Sequence, residues 1–255
     1  MLDNPVDDKE NPDDQEMSVW DHIGELRGRL LKAMAAMLIA TAVSLFFLAD
    51  KFLVFLAGPV GGLQKLVAIE VTESVGVYMR VGLLAGFIMA LPILVYQLLA
   101  FVIPGLYDNE KRWVFIAIPM ATILFVLGAG FAYYVMLPAA LPFLLGFLPV
   151  NSLPRVSTYV DFVTNLMFWI GIAFEAPLAV FILAKFNLVT AAMLLKQWRF
   201  AVVIIAVLAA MITPTVDPVN MSLLMLPLFA IYLLSILFAA LARPTPKEAK
   251  SDITD

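Results

Sequence analysis

Apolar residues run along this chain in continuous blocks separated by short polar stretches, not in the alternation of half-buried strands. Leu31–Ala49 is one block, followed by Val77–Ile103, Trp113–Leu137, Phe162–Lys185, a weaker Phe200–Ile212 and Val219–Ala242. A membrane-spanning helix needs about 20 mostly apolar residues. Only helices and closed barrels satisfy every backbone group in lipid, and continuous runs favour helices. The pattern therefore predicts an all-α polytopic membrane protein with six transmembrane helices.

The fifth block is short. Fourteen residues lie between Arg199 and Pro214, about 21 Å of helix against a hydrocarbon core of about 30 Å. It must thin the bilayer or sit shielded. Thr213-Pro-Thr-Val-Asp-Pro218 then reads as a tight hairpin, because Pro214 and Pro218 restrict their neighbours. Two longer loops, roughly 50–76 and 138–161, contain Pro59, Gly61, Gly62, Pro138, Pro142, Pro149 and Pro154 yet stay apolar. They are expected to form an ordered cap, with Gly58–Ile69 as a short interfacial helix.

Composition agrees with a membrane setting. The chain is 63% hydrophobic and 14% charged, with mean hydropathy +0.97, against about 45–50% and about 25% in soluble domains. The net charge of −4 misleads, because Asp3, Asp7, Asp8, Glu10, Asp13, Asp14 and Glu16 crowd one tail. Residues 1–17 read as an acidic, disordered tail, 18–243 as the membrane domain and 244–255 as a polar C-terminal tail.

Lys and Arg set the orientation. Of the 16 basic residues, twelve fall on the side holding both termini: Lys9, Arg27, Arg29, Lys32, Lys111, Arg112, Lys185, Lys196, Arg199, Arg243, Lys247 and Lys250. The other side holds Lys51, Lys65, Arg80 and Arg155. Both termini are expected in the cytoplasm. No cleavable signal peptide is read, since the first apolar run follows an acidic tail.

Several polar residues stand where they are costly. Glu175, in Ala173-Phe-Glu-Ala-Pro177, falls inside the fourth span, where a charge costs about 2.5–3.5 kcal/mol on insertion scales. Pro177 should bend that helix, and a bent helix with an inward acid suggests a concave groove. A protonated carboxyl bonded to a neighbouring helix is the structural alternative. Gln97 and Asn165 could be interhelical glue; Pro92, Pro119 and Pro227 are expected kinks. Two clusters flank the spans on the cytoplasmic side: His22-Ile-Gly-Glu-Leu-Arg-Gly-Arg-Leu30, and Pro104-Gly-Leu-Tyr-Asp-Asn-Glu-Lys-Arg112. A charged anchor would explain the cations but needs no Glu25, Asp108 or Glu110. Glu25 and Arg29 have the i,i+4 spacing of a helical ion pair.

These clusters carry a family likeness. His22–Leu30 resembles the amino-terminal signature of the TatC family, H-L-x-E-L-R-x-R-L. Tyr96-Gln97 to Phe101, Pro104–Tyr107 and Glu110-Lys-Arg112 resemble its first cytoplasmic loop. Phe174-Glu-Ala-Pro177 resembles its F-E-x-P element, and Thr213-Pro-Thr-Val-Asp217 its last outer hairpin. Asp108 departs from the family, where a basic residue or His often precedes the Glu. The resemblance implies a curved, glove-like set of helices with a concave face and short fifth and sixth helices. It implies a bacterial inner-membrane protein that is not an enzyme and needs no cofactor. Such a protein binds twin-arginine signal peptides of folded cargo, works with the single-span subunits TatA and TatB, forms homo-oligomers within the complex and draws on the proton-motive force. Carried over by motif, Glu25 and Glu110 are signal-binding carboxylates with Arg27 and Phe101 beside them. Glu175 is the groove glutamate, with Gln97 nearby, and Asp217 is the outer-hairpin acid.

Other classes fit less well. A proton-coupled small-solute transporter with Glu175 as carrier would show paired repeats, and none is visible. An insertase would want a cation in the groove. An intramembrane protease lacks a nucleophile–base pair: Ser235 has no His or paired Asp near it, His22 is the only histidine and there is no cysteine. That also leaves no multi-histidine or thiolate metal site, and nothing points to nucleic acid.

Overall fold

The computed structural model describes residues 19–102, 108–146, 153–213 and 218–242, with side chains for these apart from 19–22, 102 and 108–115. The described residues are helical except in short connections. In chain order they form α1 (Val19–Phe47), α2 (Ala49–Leu56), α3 (Glu73–Val102), α4 (Asp108–Phe131), α5 (Leu137–Gly146), α6 (Val156–Phe174), α7 (Ala176–Lys185), α8 (Ala191–Lys196), α9 (Trp198–Ile212) and α10 (Pro218–Leu241).

These helices compose the six expected apolar rods. Five are long enough to cross a membrane: Ile23–Phe47, Glu73–Phe101, Ile116–Gly146, Val156–Lys185 and Pro218–Leu241, with α9 as the shorter sixth. The chain is a multi-pass membrane protein. At 15 residues, α9 is about 22 Å long. The last rod, α10, has 24 residues, so the expected shortness holds for the fifth rod alone. Leu241 closes an apolar run that no proline interrupts effectively: Pro227 sits inside it, and membrane helices tolerate such a residue where neighbours cover the freed carbonyl.

The third rod also runs further than expected. Leu137 is not its end, because a π-helical turn at Ala132–Met136 leads directly into α5. That turn already shifts the hydrogen-bond register, so the missing N–H of Pro138 removes little. Residues 138–146 are therefore helix rather than loop. The fourth rod starts early, at Val156. Gly58–Ile69 does not form the expected helix: it has 3-10 turns at Gly58–Val60 and Leu63–Lys65. Gly61 and Gly62, at φ 91° and 100°, turn the chain left-handed and stop a helix there. The short helix of this loop is α2, immediately before it.

Close backbone approach fixes the packing. Along α3, a Cβ on Gly86 would stand 2.6 Å from Thr41 Cα of α1, and one on Gly82 would overlap Leu45 Cδ2. The four-residue glycine spacing gives α1 a flat surface to lie on. Elsewhere, α4 and α6 exchange rings for glycines. Phe174 sits on Gly128 and Phe125 on Gly171, each closer than a Cβ allows. The largest apolar core gathers around Phe125, Val81, Val163, Leu166 and Ile170. A second small cluster seats α8 on the ends of α7 and α10 through Ala184, Ala239 and Ala242.

Candidate functional site

Helix alternation puts the start of α1, the ends of α3, α7, α8 and α10, and the starts of α4 and α9 at one end of the bundle. Here α1 begins with the first charged cluster. Glu25 Oε1 accepts from Arg29 Nε at 2.8 Å and Nη2 at 2.5 Å, one turn apart on the same face. Both side chains are about a quarter exposed, while Arg27 is exposed. Phe101 is half-buried near the end of α3. Gly82 meets Leu45 and Gly86 meets Thr41, so four residues along α3 match four back along α1. Glu110 belongs to the first turn of α4, but its side chain lies outside the described ones. Asp217 and residues 103–107 lie outside the described residues.

Between α3, α4 and α7 the bundle leaves a groove of about 570 Å³. Its wall includes Leu91, Val95, Leu98, Ala121, Ile182 and Leu188, with Glu175 among otherwise apolar described residues. Leu98 is 66% and Leu188 63% exposed, so the groove opens sideways. Glu175 stands at the junction of α6 and α7. Its N–H reaches Ile172 C=O at 3.1 Å, and Pro177 offers no N–H, so the rod breaks at the acid. Glu175 Oε1 is buried with no hydrogen-bond partner among the described residues. Gln97 does not line the groove. On α3 the groove wall is made by Phe87, Leu91, Leu94, Val95, Leu98 and Leu99.

The opposite end is closed by a clasp that sequence reasoning missed. Glu73, the first residue of α3, has a side chain 1% exposed. Its Oε2 accepts from Ile69 N–H at 2.9 Å and Glu70 N–H at 3.2 Å. Its Oε1 accepts from Ser157 N–H at 2.8 Å and Arg155 Nε at 3.1 Å. Arg155 Nη2 also meets Glu70 Oε1 at 2.6 Å, and these two acids, Glu70 first, raise the guanidinium pKa above its ordinary value. Val67 and Arg155 form a parallel bridge. Tyr133 and Tyr159 donate to the last carbonyls of α2, at Phe55 and Leu56. Below them Arg80 pairs with Asp161. The available signal was an acid opening a helix, which suits the positive end of its dipole; the partners more than 80 residues away gave none.

Residues 21–227 match the family described as Sec-independent protein translocase protein (TatC). The chain belongs to the TatC family. A TatC of Campylobacter jejuni is 38% identical over 239 residues, covering 91% of this chain and 97% of its own. One from Carboxydothermus hydrogenoformans is 33% identical, covering 91% and 96%. A crystal structure described as the twin arginine translocase receptor TatC superposes with TM-score 0.77 at 35% identity, covering 87% of this chain and 99% of that one. The TatC match takes in Glu25, Phe101, Glu110, Glu175 and Asp217, and leaves the acidic tail outside. As a TatC-family chain, the protein is a component of a Sec-independent protein translocase.

Proposed function

We propose that this chain is the signal-receiving subunit of a twin-arginine translocase in a bacterial inner membrane, with both termini cytoplasmic. The observation that carries the reading is Glu25, held on the first turns of α1 and already gripping a guanidinium. A receptor for two adjacent arginines needs carboxylates that accept the planar fork. Glu25 and Glu110 are the proposed pair, flanked by Arg27 and Phe101. Each charge-assisted bond contributes about 1.5–3 kcal/mol before desolvation lowers the sum. Lysine loses the fork.

Arg29 then acts as an internal stand-in. An i,i+4 pair is worth only about 0.3–0.5 kcal/mol, so an incoming arginine exchanges with Arg29 at small cost. The signal's apolar stretch would lie in the groove beneath Glu175. A helix with side chains is about 10–12 Å across, so a groove of about 570 Å³ holds one face of it, consistent with a concave surface. TatA, TatB and further copies of this chain are the proposed partners, and the proton-motive force the energy source.

Export of a folded reporter carrying a twin-arginine signal tests the reading. Glu25→Ala and Glu110→Ala are expected to cut export severely when combined. Normal export by the double variant would overturn the assignment. For the groove, crosslinkers at Leu98 and Leu188 should capture the signal's apolar core, and no capture from any groove position would defeat that step.

A further inference from the structure

A second recess lies around the α4–α7 seam, reaching α10. It is lined by Ile116, Met120, Phe181, Ile182, Lys185 and Phe238, among others, and has a volume of about 180 Å³. That is similar to an engineered apolar cavity of about 150 Å³ that takes up benzene, so it has room for a segment of hydrocarbon. Its wall is apolar apart from Lys185, the last residue of a 30-residue membrane rod. At that position a lysine lays its methylene stem along apolar surface and carries its ammonium to the headgroup level.

The α7–α9 side of the rim is cationic. Between Ala176 and Ile212 the sequence has Lys185, Lys196 and Arg199 and no Asp or Glu, while the start of α4 carries Asp108 and Glu110 together with Lys111 and Arg112. Ala191 and Leu194 of α8 pack against the cluster of Ala184, Ala239 and Ala242, which brings the helix ending in Lys196 to the end of the bundle that holds Lys185. Trp198, half-exposed with Arg199 over its ring at 5.9 Å, is the kind of residue that marks the membrane–water boundary.

We propose that this recess is a binding site for an anionic phospholipid, one acyl chain in the slot and the phosphate on Lys185. Apolar depth selects hydrocarbon, and the cationic rim selects the negative headgroup over a zwitterionic one. The recess adjoins the larger groove, with Ile182 in the wall of both, but the headgroup contact at Lys185 does not depend on the signal-binding reading.

Native mass spectrometry of the full chain tests the proposal, after equilibration in detergent with equal amounts of phosphatidylglycerol and phosphatidylcholine. One lysine near a headgroup contributes about 1 kcal/mol, so wild type should retain phosphatidylglycerol about fivefold over phosphatidylcholine. Lys185→Gln should bring that ratio close to one, and Lys185→Arg should keep it. Met120→Trp, which fills the slot, should lower retention of both lipids, with Phe238→Trp as the substitute if circular dichroism shows Met120→Trp misfolded. An unchanged ratio in Lys185→Gln would overturn the headgroup contact. Unchanged retention in the filled variant would overturn the slot, and is what a lipid in the larger groove or a protein helix in the recess would give.

Discussion

Two acids drawn into the bundle, one in its cap and one in the wall of its groove, are treated in opposite ways. At the capped end Glu73 is almost fully enclosed and both its oxygens are matched, by backbone N–H groups and by Arg155. At the groove Glu175 has a buried oxygen with no hydrogen-bond partner among the described residues. Burial of an acid is costly unless its lone pairs are met. A fully matched acid holds structure together, whereas Glu175 leaves one oxygen bare in the wall of an open apolar groove. The cap fixes where α3 and α6 begin, and so fixes the helices from which the groove is built.

The comparison can be broken most readily at the clasp. Glu73→Ala removes the shared acceptor of Ile69, Glu70 and Ser157. Amide exchange over residues 66–72 and at Ser157 should rise by about tenfold or more, while Glu175→Ala leaves those amides unchanged. Equal effects from both variants would erase the contrast.

Next in size is the seam joining the ends. Gly86→Leu would drive side-chain atoms into the backbone at Thr41, and overpacking of this kind costs about 1–3 kcal/mol. A lower thermal midpoint is expected. Gly28→Ala, with nothing within 4 Å of its Cβ, should be neutral or slightly stabilising, since Ala is the better helix former by up to about 1 kcal/mol. A melting point equally indifferent to both would mean that α1 does not lie on α3 as described.

A smaller thermal effect is expected at the groove. Glu175→Gln keeps shape and removes the ionisable group, so the midpoint should hold or rise slightly while reporter export falls. A drop in midpoint as large as that of Gly86→Leu would make Glu175 a structural acid like Glu73.

The smallest effect is at Arg29. Arg29→Gln frees Glu25 of its internal guanidinium, and losing a competitor worth about 0.3–0.5 kcal/mol should tighten twin-arginine peptide binding by about twofold in calorimetry. Weaker binding would instead make Arg29 part of the contact surface.

Much of the fold was legible because lipid makes hydropathy nearly sufficient. The runs ending near Ala49 and Lys185, the short fifth rod and the break at Pro177 could all be read directly. Pro138 misled, because a π turn two residues earlier had already changed the hydrogen-bond register. The expected helix at Gly58–Ile69 ran through Gly61 and Gly62, whose positive φ breaks it, and the short helix lies before them at Ala49–Leu56. Glu25 and Glu175 stood out as charges that an anchor or a span does not require. Gln97 was set beside the groove glutamate by resemblance, and the residues that line the groove on α3 do not include it. Glu73 was hidden because its partners at Arg155 and Ser157 come together only in the folded cap, and Gly82 and Gly86 because their role lies in what α1 places against them.

Recognition of paired guanidinium groups by carboxylates at the open end is most directly tested by peptide affinity. A twin-arginine signal peptide and its twin-lysine version would be titrated against wild type and the Glu25→Gln, Glu110→Gln double variant. Wild type should prefer arginine by about tenfold or more, and the double variant should lose that preference. An arginine preference that survives both substitutions would contradict the account.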